Sequence, residues 1–270
     1  MNFLKLEDGT KVEVYEGMDV AGLLGITKYE PPIPVHMAGE VLNLFGVPYK
    51  YDFESIQSVP DLFEIGEPVV ASEKLHGTSF QAGYVPGMDK EECFVNGEFY
   101  VTSKGIGNRG LAFKDNEAND GNLYVKTLRS MISDGITDRM KTIADGKTMR
   151  IFGEVFGAGV QDLHYGMKGA SFRLFDIMIG DEFLTPEEMA KVAFALGVPV
   201  VPVLYSGPYD LEALAQVRDG KDTLSNSHVR EGIVIRSATG DRHPLHGRKI
   251  GKWVSPDYLT RGNKNATEFN

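Results

Sequence analysis

The chain has 270 residues, a net charge of −10, one cysteine and no apolar run near the roughly 18 residues that a membrane span needs. A lone cysteine excludes an intrachain disulfide and suits a reducing compartment, cytoplasmic or otherwise intracellular. Met1–Asp8 lacks the basic-then-apolar pattern of a secretory leader, so neither secretion nor a membrane partner is expected. The acidic total speaks against a simple electrostatic nucleic-acid binder, but the charge is uneven: residues 228–264 carry 8 Lys/Arg and 3 Asp/Glu, which suits phosphate contact.

Residues 3–15 alternate as a hairpin turning at Asp8-Gly9. Asp19 caps a short helix ending at Gly25, and Tyr29-Glu30-Pro31-Pro32-Ile33-Pro34 reads as a stiff linker. Residues 1–35 are too few for a core of their own, and 36–270 form the main domain. Residues 47–67 are loop-like, with a helical turn near Asp61. Strands are predicted over 68–75 and 78–85, and a hairpin over 92–102 around Asn96-Gly97. A helix runs over 122–144, bent or split at Gly135. Further strands follow at 149–156, 172–179, 200–204, 232–236 and 248–254, the third placed at a sheet edge by Pro202. Thr185-Pro186-Glu187-Glu188 is a capping box opening a helix closed by Gly197, and 210–218 is another helix. Strands interspersed with helices, without regular alternation, predict an α+β fold with largely antiparallel sheets flanked by helices.

The chemistry is concentrated at strand ends. Lys74 follows the apolar run Pro68-Val69-Val70-Ala71, an unusual place for a lysine, since buried lysines are almost always paired. Burial and nearby cations would make it an amine nucleophile; the alternative is a lysine snorkelling from a strand end. Period-two alternation puts Arg150, Phe152 and Glu154 on one face. Asp176, Glu231, Lys249 and Lys252 also stand in or beside strands. Carboxylates and lysines converging on one pocket suit metal-assisted phosphoryl or nucleotidyl transfer. There is no P-loop and no Cys/His zinc pattern. Gly105-Ile106-Gly107-Asn108-Arg109-Gly110 matches GxGxxG, but no helix is predicted after it. Cys93, between acidic neighbours, is a poor nucleophile.

Glu73-Lys74-Leu75-His76-Gly77-Thr78 resembles motif I of the covalent nucleotidyltransferase superfamily of ATP-dependent ligases and capping enzymes. Ser103-Lys104-Gly105, Phe152-Gly153-Glu154, Leu174-Phe175-Asp176, Glu231-Gly232-Ile233-Val234 and the Lys249–Lys252 strand resemble its further motifs, in its order. His76-Gly77-Thr78 is similar to the RNA ligase branch. Leu24–Pro32 and the stretch from Ser255 to Asn270 resemble RNA ligases with an N-terminal OB module, of which residues 1–35 would be an extension or remnant. The resemblance implies a ligase adenylation domain that uses ATP and Mg²⁺ or Mn²⁺ to join RNA ends, in a nicked duplex or an RNA–DNA hybrid, with no obligate protein partner.

It also implies roles. Lys74 would be the nucleophile, with Lys252 or Lys249 at the α-phosphate. Glu73, His76, Gly77, Lys104, Glu154 and Phe175 would bind nucleotide, Glu154 at the ribose and Phe175 on adenine. Glu231 would hold nucleotide and metal, and Asp176, Arg109 and Arg236 would support substrate or later steps. Lys104 stands where relatives often carry arginine, and Lys249-x-x-Lys252 places its lysines on opposite faces of a regular strand; Lys252 has the better context. The competing readings are a DNA ligase or capping enzyme, a non-catalytic nucleotide- or RNA-binding relative, and an acidic scaffold.

Overall fold

A computed structural model of the chain describes residues 2–5, 9–24 and 38–262. It divides into two units, Met1–Val35 and His36–Asn270. In the first, β1 (Asn2–Lys5) pairs antiparallel with β2 (Lys11–Val14), Leu4 opposite Val12, as the alternation predicts. The Asp19 carboxylate accepts the Ala21 N–H (2.9 Å), and Leu24 N donates to Val20 O (3.0 Å), so the expected cap opens a single helical turn. The linker predicted at 29–34 lies outside the described residues.

In the second unit β3 (Val41–Asn43) precedes β4 (Pro68–Lys74) and β5 (Thr78–Tyr84). One-turn α1 (Phe94–Gly97), β6 (Phe99–Ser103), one-turn α2 (Lys104–Gly107) and β7 (Leu111–Phe113) follow, then helices α3 (Leu123–Ser133) and α4 (Ile136–Ala144). Next come β8 (Met149–Gly157), β9 (Ala170–Ile179), β10 (Glu182–Phe183), α5 (Pro186–Leu196), β11 (Val203–Pro208) and α6 (Leu211–Arg218). β12 (Gly232–Ser237), the short β13 (Arg242–His243) and β14 (Gly247–Arg248), β15 (Ile250–Val254) and α7 (Pro256–Leu259) complete it.

Two antiparallel sheets carry the fold, in orders β10-β9-β8-β5-β6 and β11-β4-β12-β15. Each is apolar on one face and packs helices there. Phe80, Ile151 and Ile177 of the larger sheet bury against Leu128, Met140 and Leu196 of α3, α4 and α5. Val69, Ala71, Ile233 and Ile235 of the smaller sheet bury against Leu214 of α6. The opposite faces carry most of the polar strand residues, so period-two alternation sorts much of the core from the site, Glu73 and the β9 bulge excepted.

Gly135, at φ +69°, divides α3 from α4 as its position predicts. The capping box of α5 is formed, with Gly197 closing the helix at φ +70°. β11 is an edge strand, but it starts at Val203, because Pro202 cannot donate to a ladder. The predicted hairpin at 92–102 forms only as a single antiparallel bridge, Phe94 opposite Phe99. Val95, Asn96 and Gly97 all have positive φ (+48°, +58° and +77°) and make a tight bend that sends Phe94 into the core. β6 pairs instead with β5, from Tyr84 opposite Phe99 to Phe80 opposite Ser103. No helix follows the GxGxxG stretch; Gly110 leads straight into β7, so the dinucleotide pattern has no structural counterpart. β3, pairing with β7, lies ahead of the 47–67 stretch, in residues for which no element is predicted.

Candidate active site

Leu75-His76-Gly77 carry the chain from β4 in one sheet directly to β5 in the other. A cavity of about 300 Å³ opens between the sheets at this crossing. β4 supplies Ser72, Glu73 and Lys74 to its lining, β5 Thr78 and Ser79, β8 Glu154, β9 Phe175, β12 Val234 and Arg236, and β15 Lys252. The registers explain the convergence. Val234 pairs with both Ser72 and Lys252, forming one row across three strands, and Lys74 stands opposite Gly232. On the other sheet Ser79 stands opposite Glu154.

Lys74 is largely enclosed and its ammonium donates to Oε1 of Glu231, which is wholly buried, so each charge compensates the other. Glu231 is held there by its neighbour. Gly232 has φ +151°, and a Cβ at that position would come within 2.3 Å of the Trp253 carbonyl oxygen. Gly77 is required sterically too, since its Cβ would lie 2.2 Å from the Val155 carbonyl oxygen.

The cavity thus gathers Lys74, Gly77, Lys104, Glu154, Phe175, Arg236 and Lys252 of the residues expected from the sequence. Lys104 is half exposed and donates to Asp52 (2.8 Å). Glu73 is in the lining, but alternation turns its carboxylate to the far face of β4. There it accepts the backbone N–H (3.1 Å) and hydroxyl of Thr223, with Arg230 at 3.9 Å. Burial raises the Glu73 carboxyl above its ordinary range, and the Thr223 bonds and Arg230 oppose this only in part.

His76 does not line the cavity. Its ring is buried, with Nε2 2.6 Å from Asp162 Oδ1 and Nδ1 2.8 Å from the Tyr258 hydroxyl, while its backbone N–H donates to the Tyr165 hydroxyl (2.7 Å). It therefore ties the sheet crossing to α7. Asp176 also faces away from the cavity: it accepts from Tyr51 (2.6 Å) and from both Arg248 nitrogens, with Arg236 at 3.7 Å. Arg236 in turn donates to the Phe175 carbonyl (2.7 Å). Lys249 falls between β14 and β15 and pairs with Glu67, away from the cavity, so Lys252 is the lysine of that strand that reaches it. Arg109 is exposed and off the lining.

β9 explains Phe175. The β8–β9 register shifts between Phe152, opposite Asp176, and Gly153, opposite Leu174, which leaves Phe175 as the extra residue of a bulge. The shift lets consecutive residues serve two places: Phe175 in the cavity, Asp176 in the buried network.

Tyr51, Asp52 and Phe53, which form one wall, are not among the residues expected from the sequence. Tyr51 stacks on Phe152 at 4.6 Å. Burial, then the neighbouring Asp176 charge, pushes its hydroxyl well above the usual phenol range. Burial would raise the Asp52 carboxyl, but the Lys104 hydrogen bond and charge, with help from Lys252, bring it below its ordinary value. An aromatic-acidic-aromatic triplet in a loop was the available signal. Cys93 is buried, and its thiol is pushed up to about 11 by burial and then by Glu92, so it is inert. Among the described residues, no helix is long and apolar enough to cross a membrane.

No curated protein matches the chain. Among solved structures, Naegleria gruberi RNA ligase with PPi superposes with a TM-score of 0.68 at 25% identity, over 90% of this chain and 66% of that one. A lysine-to-alanine mutant of the same ligase with ATP and Mn gives 0.68 at 25%, over 90% and 67%. A lysine-to-methionine mutant with AMP and Mn gives 0.67 at 24%, over 95% and 75%. The chain thus spans about two thirds of the length of the first of these relatives. Residues 67–254, which hold both sheets and all of the cavity lining except the Tyr51-Asp52-Phe53 wall, match the RNA ligase family profile, and the chain belongs to the RNA ligase family.

Proposed function

We propose that the chain is an ATP-dependent RNA ligase that joins a 3′-OH end to a 5′-phosphate end through AMP carried on Lys74. The observation that carries this reading is that Lys74 lines a cavity together with Lys252, Lys104 and Glu154, and pairs with Glu231, which is buried behind the lining. An apolar side formed by Phe175, Val201 and Val234 suits a base, and the lysines suit phosphates. Naegleria RNA ligase mutants solved with ATP and Mn support the choice of nucleotide and metal. Glu154 in the lining offers carboxylate oxygens of the kind a hard divalent cation takes, and Glu231 stands behind Lys74; a cation bound there would offset the charge of the triphosphate. Residues 36–270 would form the adenylation domain, and residues 1–35 an extension or remnant of an OB-type module.

In the first step the Lys74 amine attacks the α-phosphorus of ATP. An N–P bond forms, the bond to the β-phosphate oxygen breaks and pyrophosphate leaves. The amine must first lose a proton, and Glu231 Oε1, already its hydrogen-bond acceptor, is the group at hand. Lys252 and Lys104 stabilise the charge developing on phosphate oxygens. Glu154 holds the ribose and Phe175 the adenine. AMP then passes to an RNA 5′-phosphate, and a 3′-OH displaces it.

Incubation with α-labelled ATP and Mg²⁺ or Mn²⁺, then denaturing electrophoresis, tests the proposal. Wild type acquires covalent label and Lys74→Ala does not. Label from GTP instead of ATP would make the chain a capping-type enzyme, and sealing of DNA but not RNA ends a DNA ligase. An unlabelled wild type would sink the mechanism.

A further inference from the structure

A second cavity, of about 460 Å³, lies behind the Tyr51-Asp52-Phe53 wall, which it shares with the first. Its other side is the β13–β14 hairpin. Tyr49, Phe53 and Phe183 line it with aromatic rings, and Lys50, Arg242 and His246 with basic groups. Tyr49 meets Phe183 edge-on, with centroids 5.2 Å apart and planes at 81°. Tyr49, Lys50 and Arg242 are exposed, so these groups face a ligand arriving from solvent.

The charges in this cavity differ in availability. Arg248 is committed to Asp176, and its guanidinium lies 3.9 Å over the Phe183 ring. Asp52 is engaged by Lys104 on the other side of the wall. Glu54 remains as an opposing carboxylate, while its backbone pairs with Lys252. Lys50 and Arg242 form no ion pair with any described residue. The hairpin that presents Arg242 is braced. His243 Nδ1 accepts the N–H groups of Leu245 and His246 (both 3.2 Å), which puts the ring proton on Nε2, facing Asp61 at 4.0 Å. With His246 Nε2 at 3.5 Å from the same carboxylate, Asp61, His243 and His246 brace the hairpin from this side.

We propose that this second cavity seats a nucleotide of the RNA strand beside the reactive end, its base against Tyr49 and its phosphate at Arg242 and Lys50. The inference rests on the ligase reading of the first cavity and names where that ligase holds its polynucleotide. Exposed rings beside cations are what a single-stranded nucleotide requires: every base has a face to stack, and every linkage carries a charge. The shared wall places the strand next to the lysines that hold the adenylate. This also reconciles RNA binding with a net charge of −10, because the cations needed are concentrated on one short hairpin and its neighbour.

The test uses the full chain with Arg242→Ala, Arg242→Glu and Tyr49→Ala. Binding of a fluorescein-labelled, 5′-phosphorylated oligoribonucleotide is read by anisotropy without ATP, and self-adenylation with α-labelled ATP is read separately. Each variant is expected to bind RNA about tenfold more weakly or worse, Arg242→Glu worst, while acquiring label as wild type does. Added RNA then discharges the lysyl-AMP slowly. Wild-type RNA affinity in Arg242→Glu and Tyr49→Ala overturns the inference. An unlabelled wild type overturns only the ligase reading, since binding is measured without nucleotide.

Discussion

Asp222 shows how one side chain supports the site from outside it. Its carboxylate accepts the N–H groups of Ser225 (2.6 Å), Ser227 (3.0 Å) and His228 (2.8 Å), fixing the loop whose next residue, Thr223, holds Glu73. Burial alone would raise its carboxyl; those backbone donors outweigh burial and bring it below the ordinary value. A carboxylate depressed in the fold stabilises above its unfolded pKa and loses that contribution as pH falls through the folded one. Asp222→Asn should therefore cost about 1–3 kcal/mol near neutrality, and the melting-temperature gap to wild type should close below the usual carboxylate range. Calorimetry from about pH 7 to about pH 3 measures it. A gap that persists unchanged at the acid end would show that the carboxylate charge is not what holds the loop.

At the level of elements, the start of β12 carries the tightest constraint. Gly232 sits at φ +151° with the Trp253 carbonyl where a Cβ would be, and its neighbour is Glu231. Gly232→Ala should destabilise by about 2 kcal/mol or more and abolish adenylation, because the strand must shift and take Glu231 from Lys74. Thermal melting and the labelling assay together decide; a variant with normal stability and label would show that the strand yields without loss. This segment was legible beforehand, as were β4 and β8, because parity along a strand fixes which side chains share a face. Three features were not legible. Tyr51-Asp52-Phe53 belongs to a loop with no period, so only the tertiary structure assigns it to a wall. Asn96-Gly97 did take left-handed conformations, but burial of Phe94 turned a hairpin signal into a bend. His76 stands two residues after Lys74, yet the crossing between sheets breaks the parity, and Asp162 and Tyr258 capture its ring.

Across the molecule, the cavity belongs to neither sheet. Lys74, Arg236 and Lys252 stand on one, Glu154 and Phe175 on the other. A nucleotide bound between them would add a further tie between two layers whose helix-packed cores are separate but which already meet at Leu75, Phe156 and Val254 and through the Arg236–Phe175 hydrogen bond. Lys74→Ala mixed with ATP and Mg²⁺ should melt higher than the same protein alone, by about 2.7 kcal/mol of stabilisation at a hundredfold excess over Kd. Amide exchange should slow in β4 and β8 alike. Protection confined to one of them would mean that the ligand rests on a single sheet. Leu75-His76-Gly77 gives this arrangement its sharpest consequence. Three residues make the shortest covalent link between the leaf bearing Lys74 and the leaf bearing Glu154, the other running from β10 through α5 to β11, and His76 bolts the short link to α7. On the ligase reading, the spacing between Lys74 and Glu154 would be set at this pivot, like the opening of a calliper. Loosening the bolt would then detune the reaction with every group proposed to touch ATP left unmutated.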